Sequence, residues 1–366
     1  MRPESEQDLS EMVRATVAPL RIMGGGTRDM GGPVAGAVLS TAGLSGITLY
    51  DPGALTLVVR AGTPLAETQA ALASEGQRLA FEPMDMRALL GTQGVPSVGG
   101  MVAANASGPR RVQAGACRDS LIGVRFVDGT GAIIKNGGRV MKNVTGYDLV
   151  KLMAGSWGTL GVMTECAFKL LPAPETEATL RSAPLSVPDA VRVMSAALGT
   201  PYEVSGAAVD SEGCVCLRIE GFARQVAYRT AQLQAALGGD WQVLEAPESV
   251  ALWRNIRDVT EFAGLAGDVW RVSVAPSAAP DLVARMSCPV ILDWGGGLLW
   301  FLTPEGVDLR ARLGAFAGHA TLVRASHVTR ARMAVFPPQP AALEKIAQGL
   351  RMKFDPRGVL NPAMMG

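Results

Sequence analysis

Histidine is almost missing from this sequence: only His319 and His327 occur, eight residues apart. A cluster of imidazole metal ligands is therefore not expected, and no metal site is assigned. Aromatic residues make up 5% and charged residues 18% of the chain. No uninterrupted apolar run reaches about 18 residues, so no transmembrane helix is expected. The opening stretch MRPESEQDLSEMVR has no basic region followed by an apolar one. It does not read as a secretory signal, and the default location is the cytoplasm. The five cysteines, Cys117, Cys166, Cys214, Cys216 and Cys288, form no CxxC pair. Their odd number fits reduced thiols and disfavours an Fe–S or structural zinc site within this chain. The net charge of +1 excludes the broad basic field of a nucleic-acid binder.

What is present is 366 residues, 48% of them hydrophobic. That is enough for two or three domains with ample cores. The first 170 or so residues are Gly-rich with short β-like runs at Leu20–Met23, Thr56–Arg60, Ile122–Val127 and Ala132–Ile134. A helix follows Thr63, read as its cap, and Pro64, and ends near Gly76. A second helical stretch covers Tyr147–Met153. The LPAPE segment, Leu171–Glu175, stiffens the chain and reads as a boundary. Beyond it helices (190–198, 224–237, 307–316) alternate with strands (214–220, 270–274, 290–293, 298–302, 321–324). That alternation predicts an α+β domain with a mostly antiparallel sheet. On the strand at 214–220, Cys214 and Cys216 share one face and Val215, Leu217 and Ile219 the other, so packed thiols are favoured.

Four segments have the make-up of a cofactor cradle. Gly24–Gly32 (GGGTRDMGG) follows a strand, and consecutive glycines let successive N–H groups converge on an anion. It lacks GxGxxG spacing and the Gly-Lys-Ser/Thr of a Walker A loop. A plain Gly-rich turn is the competing reading. Pro96–Arg111 (PSVGGMVAANASGPRR) offers Gly99-Gly100 for close backbone approach, with Asn105 and Ser107 beside Gly108. A tightly packed helix turn is the alternative there. Lys142–Glu165 runs helix, Gly-rich turn, strand, with Gly155, Gly158 and Gly161 three apart. In it Tyr147-Asp148 suits helix orientation better than catalysis, and Trp157 suits burial. Phe354–Pro362 (FDPRGVLNP) contains a turn signal, and Asn361, preceding Pro362, is expected to be extended.

In this order the four segments resemble the PCMH-type, or vanillyl-alcohol oxidase-like, family of FAD-binding oxidoreductases. Within it, MKNVTGYDLVKLMAGSWGTLGVMTE and GGMVAANASGPRR are similar to flavin-binding subunits of glycolate oxidases. The resemblance covers most of the chain. It is strongest over residues 20–172, weakest over the second domain, and returns at 354–362. It implies an α+β fold: a two-lobed FAD-binding domain at 1–172 (lobes about 1–48 and 49–172), an α+β cap domain at 173–330, and a C-terminal return segment at 331–366. It also implies site residues. Gly25, Gly26, Thr27, Arg28 and Asp29 would wrap the pyrophosphate. Pro83, Ser97, Gly99, Gly100, Asn105, Ser107 and Gly108 would line the ribityl and flavin region. Thr159, Gly161 and Val162 would lie along the adenine side, and Asn361 would approach from the tail.

The sequence departs from the family in two ways. The phosphate loop has no His or Cys, and nothing around Cys117 marks an attachment point, so non-covalent FAD is expected. The His cluster of relatives that oxidise 2-hydroxy acids is missing, so no catalytic base is assigned. The candidates Tyr147, His319, His327, Asp293 and Glu82 remain open. The resemblance then implies an accessory subunit of a complex that oxidises glycolate or D-lactate to the 2-oxo acid. Its partners would be a second flavoprotein subunit and an Fe–S subunit. Such a complex would be cytoplasmic, or peripheral at the cytoplasmic face of the membrane through partners. The alternatives are a stand-alone FAD-dependent dehydrogenase of another small hydroxy acid or alcohol, and a scaffold that has lost its flavin.

Overall fold

The computed structural model describes residues 1–138 and 146–365. The strand Leu20–Met23 pairs in parallel with Ala37–Ser40, and Leu360 bridges to Leu20 in parallel. The C-terminal tail thus extends this small sheet. A five-stranded antiparallel sheet follows, in the order Ile47–Asp51, Thr56–Arg60, Val162–Lys169, Leu121–Val127 and Ile133–Gly137. After Lys169 and a two-residue strand at Leu171–Pro172, the chain enters an eight-stranded sheet at Thr176. All its pairings are antiparallel, which agrees with the expectation from the alternating pattern.

The two faces of that larger sheet have different neighbours. On Asp268–Val274, Trp270 and Val272 join a core with Ala190, Met194, Leu233 and Leu282 from the covering helices. Val269 points the opposite way, as strand alternation requires. It joins Ile291, Leu298, Trp300, Leu302 and Val323 in a second core, shared with Phe81, Met84, Val102 and Phe168 from the N-terminal half. A strand buried on both faces reads as a continuous apolar run. Cys214–Gly221 is buried from Cys214 to Glu220. Its Val215, Leu217 and Ile219 face the helices, while Cys216 packs with Trp253 and Ile256.

Polar ties reinforce the contact between the halves. The Arg218 guanidinium donates to both Glu82 carboxylate oxygens at 2.8 Å. Arg78 pairs with Glu220 at 2.8 Å, and Arg110 also pairs with Glu220. Burial alone would raise the Glu220 carboxyl, but Arg218, Arg110 and Arg78 outweigh it and hold it well below the usual range. Asp258 Oδ1 accepts from the Asp85 N–H at 2.8 Å.

Three local expectations need correction. The helix after Thr63 starts at Leu65, and Pro64 occupies its cap position with no side-chain cap. Thr63 Oγ1 instead donates to the Arg60 carbonyl at 2.8 Å and accepts from the Gly46 N–H at 2.9 Å. The helix expected over 307–316 is only Leu309–Leu313, begun by the Asp308 cap and ended by Gly314 at φ 67°. Asn361 is not extended: its φ is 44°. The avoidance of the helical region before proline leaves the left-handed region reachable, and Asn tolerates it.

Candidate functional site

A cleft opens where the tips of the N-terminal strands, a short helix and the tail converge. Its walls include Ile22–Arg28, Thr41, Ala61, Ser97, Gly99, Gly100, Ala103, Trp157, Gly158, Gly161, Val162, Met163, Asn361 and Met364. The loop 24–27 lies directly on the loop 94–97. A Cβ on Gly25 would stand 1.5 Å from the Val95 carbonyl oxygen, and Gly26 has φ 67°. These two positions let the loop pack by backbone alone. Among the described residues, the N–H groups of Gly24, Gly25, Gly26 and Thr27 donate to no protein acceptor. Four successive free donors at a cleft form a nest for an anion.

Arg28 stands in the same wall, half-buried. One of its terminal nitrogens donates to the Met84 carbonyl at 2.9 Å, but its buried Nε has no partner. Burial pulls its guanidinium below the ordinary value, partly offset by Asp85. An unpaired buried donor on a cation is costly unless something supplies an acceptor. The nest and this cation fit a diphosphate-bearing cofactor.

The opposite donors are already committed. The short helix Val98–Ala103 begins at Ser97, whose Oγ accepts from the Gly100 N–H at 3.3 Å. The Gly99 N–H donates to the Ala61 carbonyl at 2.6 Å and that of Val98 to Thr63 at 3.0 Å. This wall therefore presents flat backbone rather than free N–H groups. Val162 opens the strand Val162–Lys169 and is buried. Asn361 locks the tail in place. Its Oδ1 accepts from the Ile22 N–H at 2.7 Å and its Nδ2 donates to the Trp157 carbonyl at 2.8 Å. Trp157 packs edge-on against Phe336, 5.5 Å between ring centroids.

Of the residues expected from sequence, the cleft gathers Gly25, Gly26, Thr27, Arg28, Ser97, Gly99, Gly100, Gly161, Val162 and Asn361. The other six are not among its wall residues. Asp29 is exposed and pairs with Arg21 and Arg330. Pro83 is buried. Asn105 Oδ1 accepts from the Arg118 N–H and Ser107 Oγ from that of Cys117, at 3.0 and 2.9 Å. The Gly108 carbonyl accepts from Trp294 Nε1 at 3.0 Å. Thr159 Oγ1 turns back to the Ser156 carbonyl at 2.7 Å. Sequence reasoning missed Thr41, Ala61, Met163 and Met364. None carries a signal, because each reaches the cleft only through sheet pairing or tail return. Residues 142–145 of the third segment lie outside the described residues.

Of the candidate bases, His319 and Asp293 both lie close enough to Arg271 on the large sheet to feel its charge, while the other three have different surroundings. Tyr147 is 88% exposed, while its neighbour Asp148 caps the helix Leu149–Met153. Glu82 is held by Arg218. His327 is exposed at the start of a short helix. Among the described residues no group of three His, Cys, Asp or Glu is placed to hold a metal. Cys117 is fully buried, and that burial pushes its thiol well up.

Comparison with known proteins agrees with this geometry. Residues 1–137 match a family described as an FAD binding domain, and FAD is the cofactor this fold takes. The solved structure of an alkyldihydroxyacetonephosphate synthase superposes with a TM-score of 0.69 at 14% identity. That match covers 99% of this chain and 76% of the synthase, and it establishes the fold. The glycolate oxidase subunit GlcD of Bacillus subtilis (strain 168) is 36% identical over 165 residues, 44% of this chain and 34% of that protein. The glycolate oxidase subunit GlcE of Escherichia coli (strain K12) is 36% identical over 369 residues, 98% of this chain and 97% of that protein. A match at that identity over nearly the full length of both proteins places the chain: it belongs to the family of the glycolate oxidase subunit GlcE.

Proposed function

We propose that this chain is an FAD-holding subunit of a multi-subunit glycolate oxidase, which converts glycolate, or D-lactate, to the 2-oxo acid. It would work in the cytoplasm, or at the cytoplasmic face of the membrane through its partners, beside a second flavoprotein subunit and an Fe–S subunit. Among the described residues no helix is long and apolar enough to cross a membrane. The observation that carries the cofactor reading is the run of free N–H groups from Gly24 to Thr27, next to the unpartnered Nε of Arg28. When bound, FAD supplies a two-electron acceptor. The residues of this chain do the rest. The nest and Arg28 hold the diphosphate. Gly99, Gly100, Gly161 and Val162 give flat walls, and Asn361 ties the tail across one end. Among the described residues the cleft walls contain neither His nor Cys, which supports a non-covalent cofactor. The organisation follows the same reading: an FAD-binding domain at 1–172, a cap at 173–330 and a return segment at 331–366.

The test is a spectrum of the purified chain followed by acid precipitation. A flavin band at roughly 450 nm that moves wholly into the supernatant is expected. Flavin retained in the pellet would overturn the non-covalent reading, and no band after reconstitution with FAD would overturn the cofactor reading. Tagged chain recovered from its host should carry a second flavoprotein and an Fe–S protein. Recovery alone with full glycolate-oxidising activity would sink the subunit role.

A further inference from the structure

The sheet face turned toward the N-terminal half carries, apart from the Arg218 and Glu220 ties, a second polar place. On Asp268–Val274, Arg271 and Ser273 alternate with Trp270 and Val272. The latter two belong to the helix-side core, so Arg271 and Ser273 face the N-terminal half. His319 stands directly opposite Ser273 on the strand Gly318–Arg324, and cross-strand partners share a face. From the N-terminal half comes Arg111. Its guanidinium lies 4.5 Å from the centroid of the Trp294 ring, and that of Arg271 lies 5.1 Å from the same ring. Trp294 is held there by its bond to Gly108, with its own φ at 54°. A non-glycine residue in that region is strained, and such strain concentrates where side chains are positioned for a task.

The charges at this place do not balance. Arg78, Arg110 and Arg218 nearby all have carboxylate partners. Among the described residues, Arg111 and Arg271 have neither an ion-pair partner nor a hydrogen-bond acceptor for the guanidinium. Burial and then Arg111 bring Arg271 down to about 10. Burial, Arg271 and Arg111 all push the His319 imidazole down. Asp293 is near enough to raise the Arg271 guanidinium somewhat, but among the described residues it makes no ion pair with it, and burial pushes its own carboxyl up to about 7. Half-buried cations without partners cost stability until an anion arrives. Neither arginine lines the FAD cleft, so the cofactor diphosphate is not that anion.

We infer that Arg111 and Arg271, stacked on Trp294 with His319 beside them, form a carboxylate-binding site on this chain for a small hydroxy or oxo acid. Two planar guanidinium forks match a carboxylate. The choice of a small hydroxy acid rests on the function proposed above. The site lies between the halves, so its ligand would touch both.

The test is calorimetric titration of the purified, flavin-loaded full chain with sodium glycolate, sodium phosphate and sodium chloride. Saturable glycolate binding, tighter than either inorganic anion, is expected. Arg271→Gln and Arg111→Gln should each weaken it roughly ten- to a hundredfold, the scale of a lost charge-assisted bond. Arg271→Lys should fall between wild type and Gln. The charge-keeping Arg271→Lys variant guards against a folding defect, and flavin absorbance is read in every sample. Unchanged affinity in both Gln variants with flavin retained, or phosphate or chloride binding as tightly as glycolate, overturns the inference. A chain that takes no flavin yet binds glycolate through Arg271 supports this site and sinks the FAD proposal instead, so the two failures are distinguishable.

Discussion

Asn361 does two jobs with one amide. It is 2% exposed, and it satisfies the Ile22 N–H and the Trp157 carbonyl at once. Its φ of 44° is a strain that these bonds offset. Asn361→Ala should therefore lose about 2–4 kcal/mol, because two buried backbone groups are orphaned. Urea unfolding of the flavin-free protein reads this directly, and a loss under about 0.5 kcal/mol, a typical surface effect, would mean that the amide holds nothing. Asp293 makes a pH-dependent prediction. Burial raises its folded pKa to about 7, against roughly 3.9 when unfolded. The folded state thus binds the proton more tightly. The stability linked to that proton is complete below about pH 4 and is lost as pH rises toward 7. Asp293→Asn removes the titration while keeping an oxygen for the Trp294 N–H. The variant should gain on wild type between pH 4 and pH 8, by a few kcal/mol at about 1.4 per unit of pKa. A flat difference across that range would show that Asp293 is not burdened by its burial.

At the scale of elements, the docking of the large sheet on the N-terminal half turns on Arg218. It lies 1% exposed in the middle of Cys214–Gly221 and faces Glu82 and Glu220. Arg218→Met leaves carboxylates buried without that cation, a loss of roughly 3–5 kcal/mol. Adding Glu82→Gln to it should recover part of the loss in urea unfolding. No recovery would show that charge is not the cause. These elements also mark how far the sequence was legible. The strands Leu20–Met23, Thr56–Arg60 and Val290–Asp293 were readable to the residue, because apolar runs there end at Gly, Pro or charged turn residues. The helices Glu6–Ala15, Ala246–Asp258 and Ala341–Phe354 went unread, although Ser5 caps the first and Pro247 opens the second. Charged and polar residues interrupt their apolar positions, and the last buries no residue fully. The cleft was legible where glycines cluster, at 24–26 and 99–100. It was not legible at Thr41, Met163 and Met364, whose place comes from pairings distant in sequence. Asn105, Ser107 and Gly108 looked like ligand contacts because of their types. In the structure their bonds hold the turn toward Cys117 and anchor Trp294.

At the scale of the whole molecule, one apolar core joins Phe81, Met84 and Phe168 of the N-terminal half to Val269, Ile291 and Trp300 of the large sheet. The cleft is likewise built from both chain ends, from Ile22 to Met364. A shared core makes independent unfolding of the halves expensive, since each would expose the face that the other covers. A ligand that binds only the folded state stabilises it by mass action, about 2.7 kcal/mol at a hundred times its Kd. These two facts together predict a single calorimetric transition, moved as a whole by FAD. At roughly 2 °C per kcal/mol for a chain of this size or somewhat less, the shift should be about 5 °C and should grow with FAD concentration. Two resolved transitions, with FAD moving only one, would mean that the shared core does not couple the halves. If instead the single transition moved further when glycolate was added on top of FAD, and Arg271→Gln abolished only that second increment, the cofactor cleft and the arginine pair would be separate sites read through one cooperative unit.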